Sequence, residues 1–317
     1  MYVFVGKKRT IIIQHFSKRL YLNHQPSFPL FVGICRYLYG QNIIEPPYNI
    51  HMNMLNNYIP KEYLALKINY IRLILQKLPK VKLRKISPSD PTIRVVVGNH
   101  IYRSSSPKGM NYLNILQKRE RLESELQFYE ALWNNNFSSA VPSDIMPFRA
   151  QRFLFTDYDK KVLLNKTFFD SLINDSNTSY EKPNNHVFDG IKYRSEAEKE
   201  IAIFYTEMGI PFKYEPSIYI KGVTKPIYTD FILYIEEIDN CKFHEHLGIN
   251  NSVDYLRDTK IKYSNYTGAG LIPDLDILFT YSTDDTTFDP RFLSAKLNAA
   301  VYGTVSINKP SSNRLVS

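Results

Sequence analysis

Cysteine is nearly missing from this chain: 317 residues hold two, Cys35 and Cys241. Two thiols cannot build a disulfide framework or a Cys-rich zinc site, so a reducing, intracellular (cytoplasmic) setting is expected. There is one Trp and only 12 Gly, and no internal repeat or sustained heptad, which excludes collagen-like, low-complexity and coiled-coil scaffolds. No run of about 18 apolar residues exists, so a membrane span is not expected. Ile11-Ile12-Ile13, behind Lys7, Lys8 and Arg9, is cut off by Gln14 and His15 and is too short for a signal peptide core. Acids are scarce at the start, where Glu45 is the only one before Glu62.

Apolar residues are not scarce. They make up 44% of the chain and aromatics 14%, with 24 Tyr and 19 Phe, enough to bury a core and to favour half-buried strands. At roughly 150 residues per domain the length implies about two domains. Forty Lys+Arg against 31 Asp+Glu leave +9 and a pI near 9.2, so a polyanion such as nucleic acid is an expected partner. A protein partner or a homodimer stays open.

Residues 1–55 read as a Pro-rich basic extension, and Met52 or Met54 marks a candidate native start. Residues 56–173 read as a mostly helical domain. Apolar positions Leu64, Ile68, Ile71 and Leu75 predict a helix over 61–78, stopped by Pro79. Gly98-Asn99 between 92–97 and 100–104 predicts a β-hairpin. A second helix is expected over 111–134, with Leu122, Leu126, Tyr129 and Trp133 inward and Lys118, Arg119, Arg121, Glu123 and Glu125 solvated. The polar stretch 174–186 reads as a linker. From 187 to 305 the pattern is regular: helix 195–208, strands 212–220, 226–235 and 241–247, helix 252–266, strand 275–281 and helix 290–302. Residues 306–317 form a tail. The expected class is α/β.

Three acids stand out by position. Asp230 shares a strand face with Tyr228, Ile232 and Tyr234, and Glu245 shares one with Phe243 and Leu247. Half-buried carboxylates on consecutive strands are costly unless a cation holds them, and two such acids can converge on Mg²⁺ or Mn²⁺. Equally, they can pair with Lys or Arg on a solvated face. Glu198 is the third, and Ser195-Glu196-Ala197-Glu198 is also a capping box.

The run Arg194-Ser195-Glu196-Ala197-Glu198, then Gly209-Ile210-Pro211-Phe212-Lys213-Tyr214-Glu215-Pro216, Thr229-Asp230-Phe231 and Glu245-His246-Leu247-Gly248 resembles the PD-(D/E)XK nuclease superfamily. It looks most like the bacterial branch that carries S-x-x-E, DF, EHLG and K-x-x-x-Y. The match covers about 187–285. It implies a restriction-endonuclease-like αβββαβ core and Mg²⁺-dependent hydrolysis of DNA. It also implies Glu198 as the helix acid and Asp230 and Glu245 as metal ligands, with the His246 backbone carbonyl completing the set. Two positions depart from the pattern. Thr229 replaces a proline that makes no bond to metal, and Leu247 stands where a catalytic lysine is usual, an amine that orients water and offsets phosphate charge. Lys262 of Lys262-x-x-x-Tyr266 is the substitute candidate, with Lys260 as fallback. His244 and His246 point away from Glu245 and read as packing residues. The loss of the in-strand lysine motivates a rival reading, a nuclease fold that only binds DNA or a protein. A weaker third is an interaction scaffold whose basic charge only aids solubility.

Overall fold

The computed structural model of the protein describes residues 60–85, 93–157, 160–248, 253–282 and 288–307. The expectations for 1–55 and for most of the 306–317 tail, including the start at Met52 or Met54 and Cys35, lie outside the described residues. The described fold is mixed α/β, with six α-helices and five small sheets among those residues. No described helix is long and apolar enough to cross a membrane.

Helix α1 (Lys61–Lys77) buries Leu64, Ile68 and Ile71. It ends because Pro79 forces Leu78 into an extended conformation. Strands β1 (Val81–Lys85), β2 (Ile93–Val97) and β3 (His100–Arg103) form an antiparallel sheet. Gly98, with φ 55°, makes the predicted hairpin turn; the basic β1 was not expected as a strand. Helix α2 (Pro107–Asn136) starts before residue 111, because Ser106 caps it and Pro107 opens it. The expectation of a solvated face on α2 is corrected at Arg119. Its guanidinium donates to the Leu75 and Leu78 carbonyls at 2.9 and 3.2 Å and so closes the end of α1.

After β4 (Phe153–Phe155), β5 (Lys161–Leu163), helix α3 (Lys166–Ser171) and the short pair β6 (Val187–Phe188) and β7 (Ile191–Lys192) comes helix α4 (Glu196–Glu207). The predicted strand over 212–220 breaks into β8 (Phe212–Tyr214) and β9 (Ser217–Ile218). Pro216 has no N–H for a ladder, and Glu215 takes a positive φ of 41°. The next predicted strand splits likewise into β10 (Ile227–Tyr228) and β11 (Phe231–Ile235), with Asp230 at the break. β12 (Asn240–Leu247), helix α5 (Val253–Gly268), β13 (Ile277–Tyr281) and helix α6 (Pro290–Ile307) complete the order.

The central sheet runs β13-β12-β11-β8, antiparallel except for the parallel β12–β13 pair. Both its faces are covered. Phe231, Leu233 and Ile235 point into a cluster with α1, α2, α4 and α6, while Ile232, Tyr234, Cys241 and Phe243 point into one with α3 and Tyr266 of α5. Separate domains over 56–173 and 187–305 are therefore not what forms. Leu64 and Ile68 of α1 share one core with Leu293, Leu297 and Val301 of α6, and Glu62 is held by Asn298 across the two helices. The expected linker 174–186 is also corrected. The Asp175 and Ser176 amides bond the Tyr214 and Glu215 carbonyls, and Asn177 is buried.

Candidate functional site

The site grows out of the β11–β12 register. Phe231 pairs with His244, so one step further Asp230 falls opposite Glu245 on the same face. Asp230 sits where β11 begins, and Glu245 near the end of β12. Both are buried, at 3% and 0% exposure. The His246 amide donates to Asp230 Oδ2 at 2.7 Å and fixes that carboxyl against the strand.

Helix α5 supplies both partners of Glu245. Lys262 and Tyr266 lie one turn apart on one face, so the Lys262 amine bonds Oε2 at 2.8 Å while the Tyr266 hydroxyl donates to Oε1. Lys260, the fallback, is exposed on another part of the helix surface.

Glu198 comes from the first turn of α4. Its amide donates to Ser195 Oγ, as a capping box requires, but its carboxylate reaches back to the Arg194 amide at 2.9 Å instead of to Ser195. The Tyr214 hydroxyl donates to the same oxygen at 2.6 Å. Glu198 thus caps its helix and joins the site through Arg194. That guanidinium lies 3.3 Å from Glu198 Oε1, 2.9 Å from Glu215 Oε1 and 2.9 Å from Asp230 Oδ1. Lys182 holds the other Glu215 oxygen at 2.6 Å, and Asn177 donates to Glu215 at 3.1 Å.

Four buried carboxyls, Glu198, Glu215, Asp230 and Glu245, therefore meet three cations, Arg194, Lys182 and Lys262. The ion pairs anticipated for Asp230 and Glu245 exist, but in a buried site and not on a solvated face. Burial and then the Glu245 charge push the Asp230 carboxyl well above the usual carboxylate range, against the pull of Lys262 and Arg194. Burial alone would lower the Lys262 amine, but Glu245 and Asp230 outweigh it, and the amine is held above its ordinary value. Lys262 is a fixed cation at neutral pH.

The donor set fits a hard divalent ion. Mg²⁺ is ordinarily held by one or two carboxylates, with waters and substrate phosphate filling its remaining positions. Asp230 and Glu245 are such a pair. Among the described residues no three His, Cys, Asp or Glu side chains form a metal cage, so a closed zinc-type site does not match. The two histidines turn to the opposite face. His244 is buried between the Tyr205 hydroxyl and Thr280 Oγ1 at 2.7 Å each, and burial, aided by His246, pulls its imidazole well below its usual range. The His246 ring meets Thr280 and Ser282; its link to the site is the main chain.

Sequence reasoning named Glu198, Asp230, Glu245 and Lys262, and the structure gathers all four. It gave no role to Arg194, Tyr214, Glu215 or Tyr266 and placed Asn177 and Lys182 in a linker. The available signal was Glu215-Pro216, a charged residue interrupting an apolar strand before a residue that cannot pair. No family model matches this chain, and neither a curated protein nor a solved structure matches it.

Proposed function

We propose that residues 187–305 form a restriction-endonuclease-like nuclease domain that hydrolyses DNA phosphodiester bonds with Mg²⁺ or Mn²⁺. One observation supports the reading: β11 and β12 bury Asp230 and Glu245 side by side, and α5 brings the half-exposed Lys262 amine onto Glu245, at a spot where carboxylates outnumber cations. Bound by Asp230 and Glu245, the metal would polarise a phosphoryl oxygen and acidify a water. The chain's own residues do the rest. Lys262, held protonated, cannot act as a general base; it offsets charge building on the phosphate. Tyr266 holds one Glu245 oxygen, which leaves the other to Lys262. Glu198 and Tyr214 position Arg194, whose guanidinium places positive charge beside Asp230.

A second reading rests on that same guanidinium. Arg194 already supplies a positive charge at Asp230 Oδ1, as it would in a domain that binds nucleic acid without cutting it. Incubating the protein with linear and circular DNA, with and without Mg²⁺ or Mn²⁺, decides between them. Cation-dependent cleavage abolished by Asp230→Asn supports the nuclease. Salt-sensitive binding without cleavage under any cation supports the binding module.

A further inference from the structure

Arg194 is shared by more carboxylates than any other side chain of the site. Its amide donates to Glu198 Oε2 at 2.9 Å and to the Tyr214 hydroxyl at 3.1 Å, so its main chain is pinned and only the far end of the side chain is free to turn. There Nε lies 2.9 Å from Glu215 Oε1, while Nη2 lies 2.9 Å from Asp230 Oδ1 and 3.3 Å from Glu198 Oε1. Asp230 Oδ2 is taken by the His246 amide, so Nη2 stands on the one Asp230 oxygen left for a cation. A guanidinium and a divalent ion repel at that range, and one must yield to the other. Of the three cations in the site, Lys182 is clamped between Asp175 and Glu215 with its side chain only 9% exposed, and Lys262 sits on Glu245. Arg194 is 33% exposed, and on releasing Asp230 it stays paired with Glu198 and Glu215.

Charge fixes what the site lacks. With its four carboxyls and three cations all ionised it carries a formal charge of −1. A divalent ion turns that to +1, and one phosphodiester monoanion restores neutrality. We propose that Arg194 is handed over from Asp230 to the substrate: in the free protein Nη2 holds the open oxygen of Asp230, entry of the divalent ion displaces it, and the freed guanidinium, still anchored at Glu215, takes a non-bridging oxygen of the phosphodiester. This role rests on the nuclease reading of Asp230 and Glu245. It adds a residue that touches the substrate and makes ion and DNA bind as a pair. A planar fork suits the task, because Nε stays on Glu215 while the Nη edge presents its N–H donors to the phosphate; an ammonium, a point charge, has no second edge to offer.

The experiment measures two equilibria on the full chain at constant ionic strength. One is Ca²⁺ binding without DNA, by calorimetry. The other is binding of a short DNA duplex in EDTA and in saturating Ca²⁺, by fluorescence anisotropy, with the duplex checked intact afterwards. Ca²⁺ serves as the probe because it takes carboxylate oxygens as Mg²⁺ does. In the parent, Ca²⁺ should raise duplex affinity about 10–100-fold. Arg194→Gln frees Asp230 Oδ1, so Ca²⁺ alone should bind about tenfold tighter or more. Its gain in duplex affinity should shrink about fivefold or more, to what direct attraction between ion and phosphate supplies. Arg194→Lys keeps the charge among the carboxylates and so guards against a variant that does not fold. It should still lose about threefold or more of the gain, because one ammonium cannot hold Glu215 and a phosphate together in fixed directions. A guanidinium acting only through its field would shift both affinities and leave the gain as in the parent. An undiminished gain in either folded variant therefore overturns the handover and leaves the metal site standing. Ca²⁺ binding absent from the parent and both variants, with or without duplex, overturns the nuclease reading and the handover together.

Discussion

Replacing Asp230 by asparagine separates a metal site from a structural ion pair, because the surroundings set different costs for the two. Asn keeps the side-chain shape and can still accept the His246 amide. It removes one negative charge from a site with four carboxyls and three cations. Arg194 is not stranded, since Glu198 at 3.3 Å and Glu215 at 2.9 Å still hold it. At an effective dielectric of 20, two unit charges about 4 Å apart interact by about 4 kcal/mol. The attractions removed at Lys262 and Arg194 and the repulsions relieved at Glu245 and Glu198 are of that order or smaller, so they nearly cancel. Without metal, the variant's stability should lie within about 1 kcal/mol of the parent. A pair that left its cation buried and alone would cost about 3–5 kcal/mol.

Mg²⁺ then supplies the decisive arm. An ion at 100 times its Kd stabilises the parent by about 2.7 kcal/mol, which for a body of this size is roughly 5–10 °C in Tm. Asp230→Asn should lose nearly all of that shift, and cleavage with it. The pH arm follows from the raised Asp230 carboxyl. The native state there binds more protons than the unfolded chain between about pH 4 and its folded value. Metal-free parent stability from this group is therefore present below pH 4 and lost as pH rises through that window, and asparagine removes the slope. Paired thermal melts and cleavage assays read all three effects. A parent whose Tm ignores Mg²⁺, or an Asp230→Asn protein destabilised by more than 3 kcal/mol, would refute the reasoning.

Lys262→Met should slow cleavage by about 10²-fold or more and leave duplex affinity within about threefold, as for a charge acting on the transition state; unchanged single-turnover rates would remove Lys262 from the chemistry. Glu207 ends α4 with both carboxylate oxygens buried and without a hydrogen-bond partner among the described residues, and burial pushes it up to about 8. Its neutral form stabilises the fold below about pH 4, and that contribution is lost as pH rises to about 8. Glu207→Gln should therefore gain about 1–3 kcal/mol at pH 8.5 and little at pH 4; denaturant melts at both pH values check it, and equal effects would contradict the burial. Lys242, wholly buried and donating to Thr304 Oγ1 at 2.8 Å, is pulled by burial down to about 8. Lys242→Met strands nothing, because Thr304 keeps the Ala300 carbonyl and Asp276 keeps Arg152, so stability at pH 7 should hold or rise by about 1 kcal/mol; a loss beyond 2 kcal/mol in the same melts would show the amine to be needed.

The elements were legible wherever one period dominated. The apolar stripe of α1 and the Ser195 cap of α4 are local signals, and so is the Gly98-Asn99 turn. The carboxyl site was legible for a different reason: acids on strand faces that otherwise carry Phe, Ile and Tyr violate the pattern, and the violation survives in the buried pair Asp230 and Glu245. What could not be read was whatever depends on distant partners. Arg119 looks like any solubilising residue until the end of α1 is brought against it. The stretch 174–186 has the composition of a linker, yet Asn177 and Lys182 are drawn in by Glu215, a partner about 35 positions further along the chain. Arg194 stands directly before the helix cap, and that position identifies none of its three partners, Glu198, Glu215 and Asp230. The domain boundary failed on the same ground. Periodicity shows that α1 and α6 each have a face to bury, and nothing local records that they bury it against each other. Charge excess in a site is likewise a sum over segments far apart in sequence, so the property that most favours a bound cation emerges only when the chain is folded.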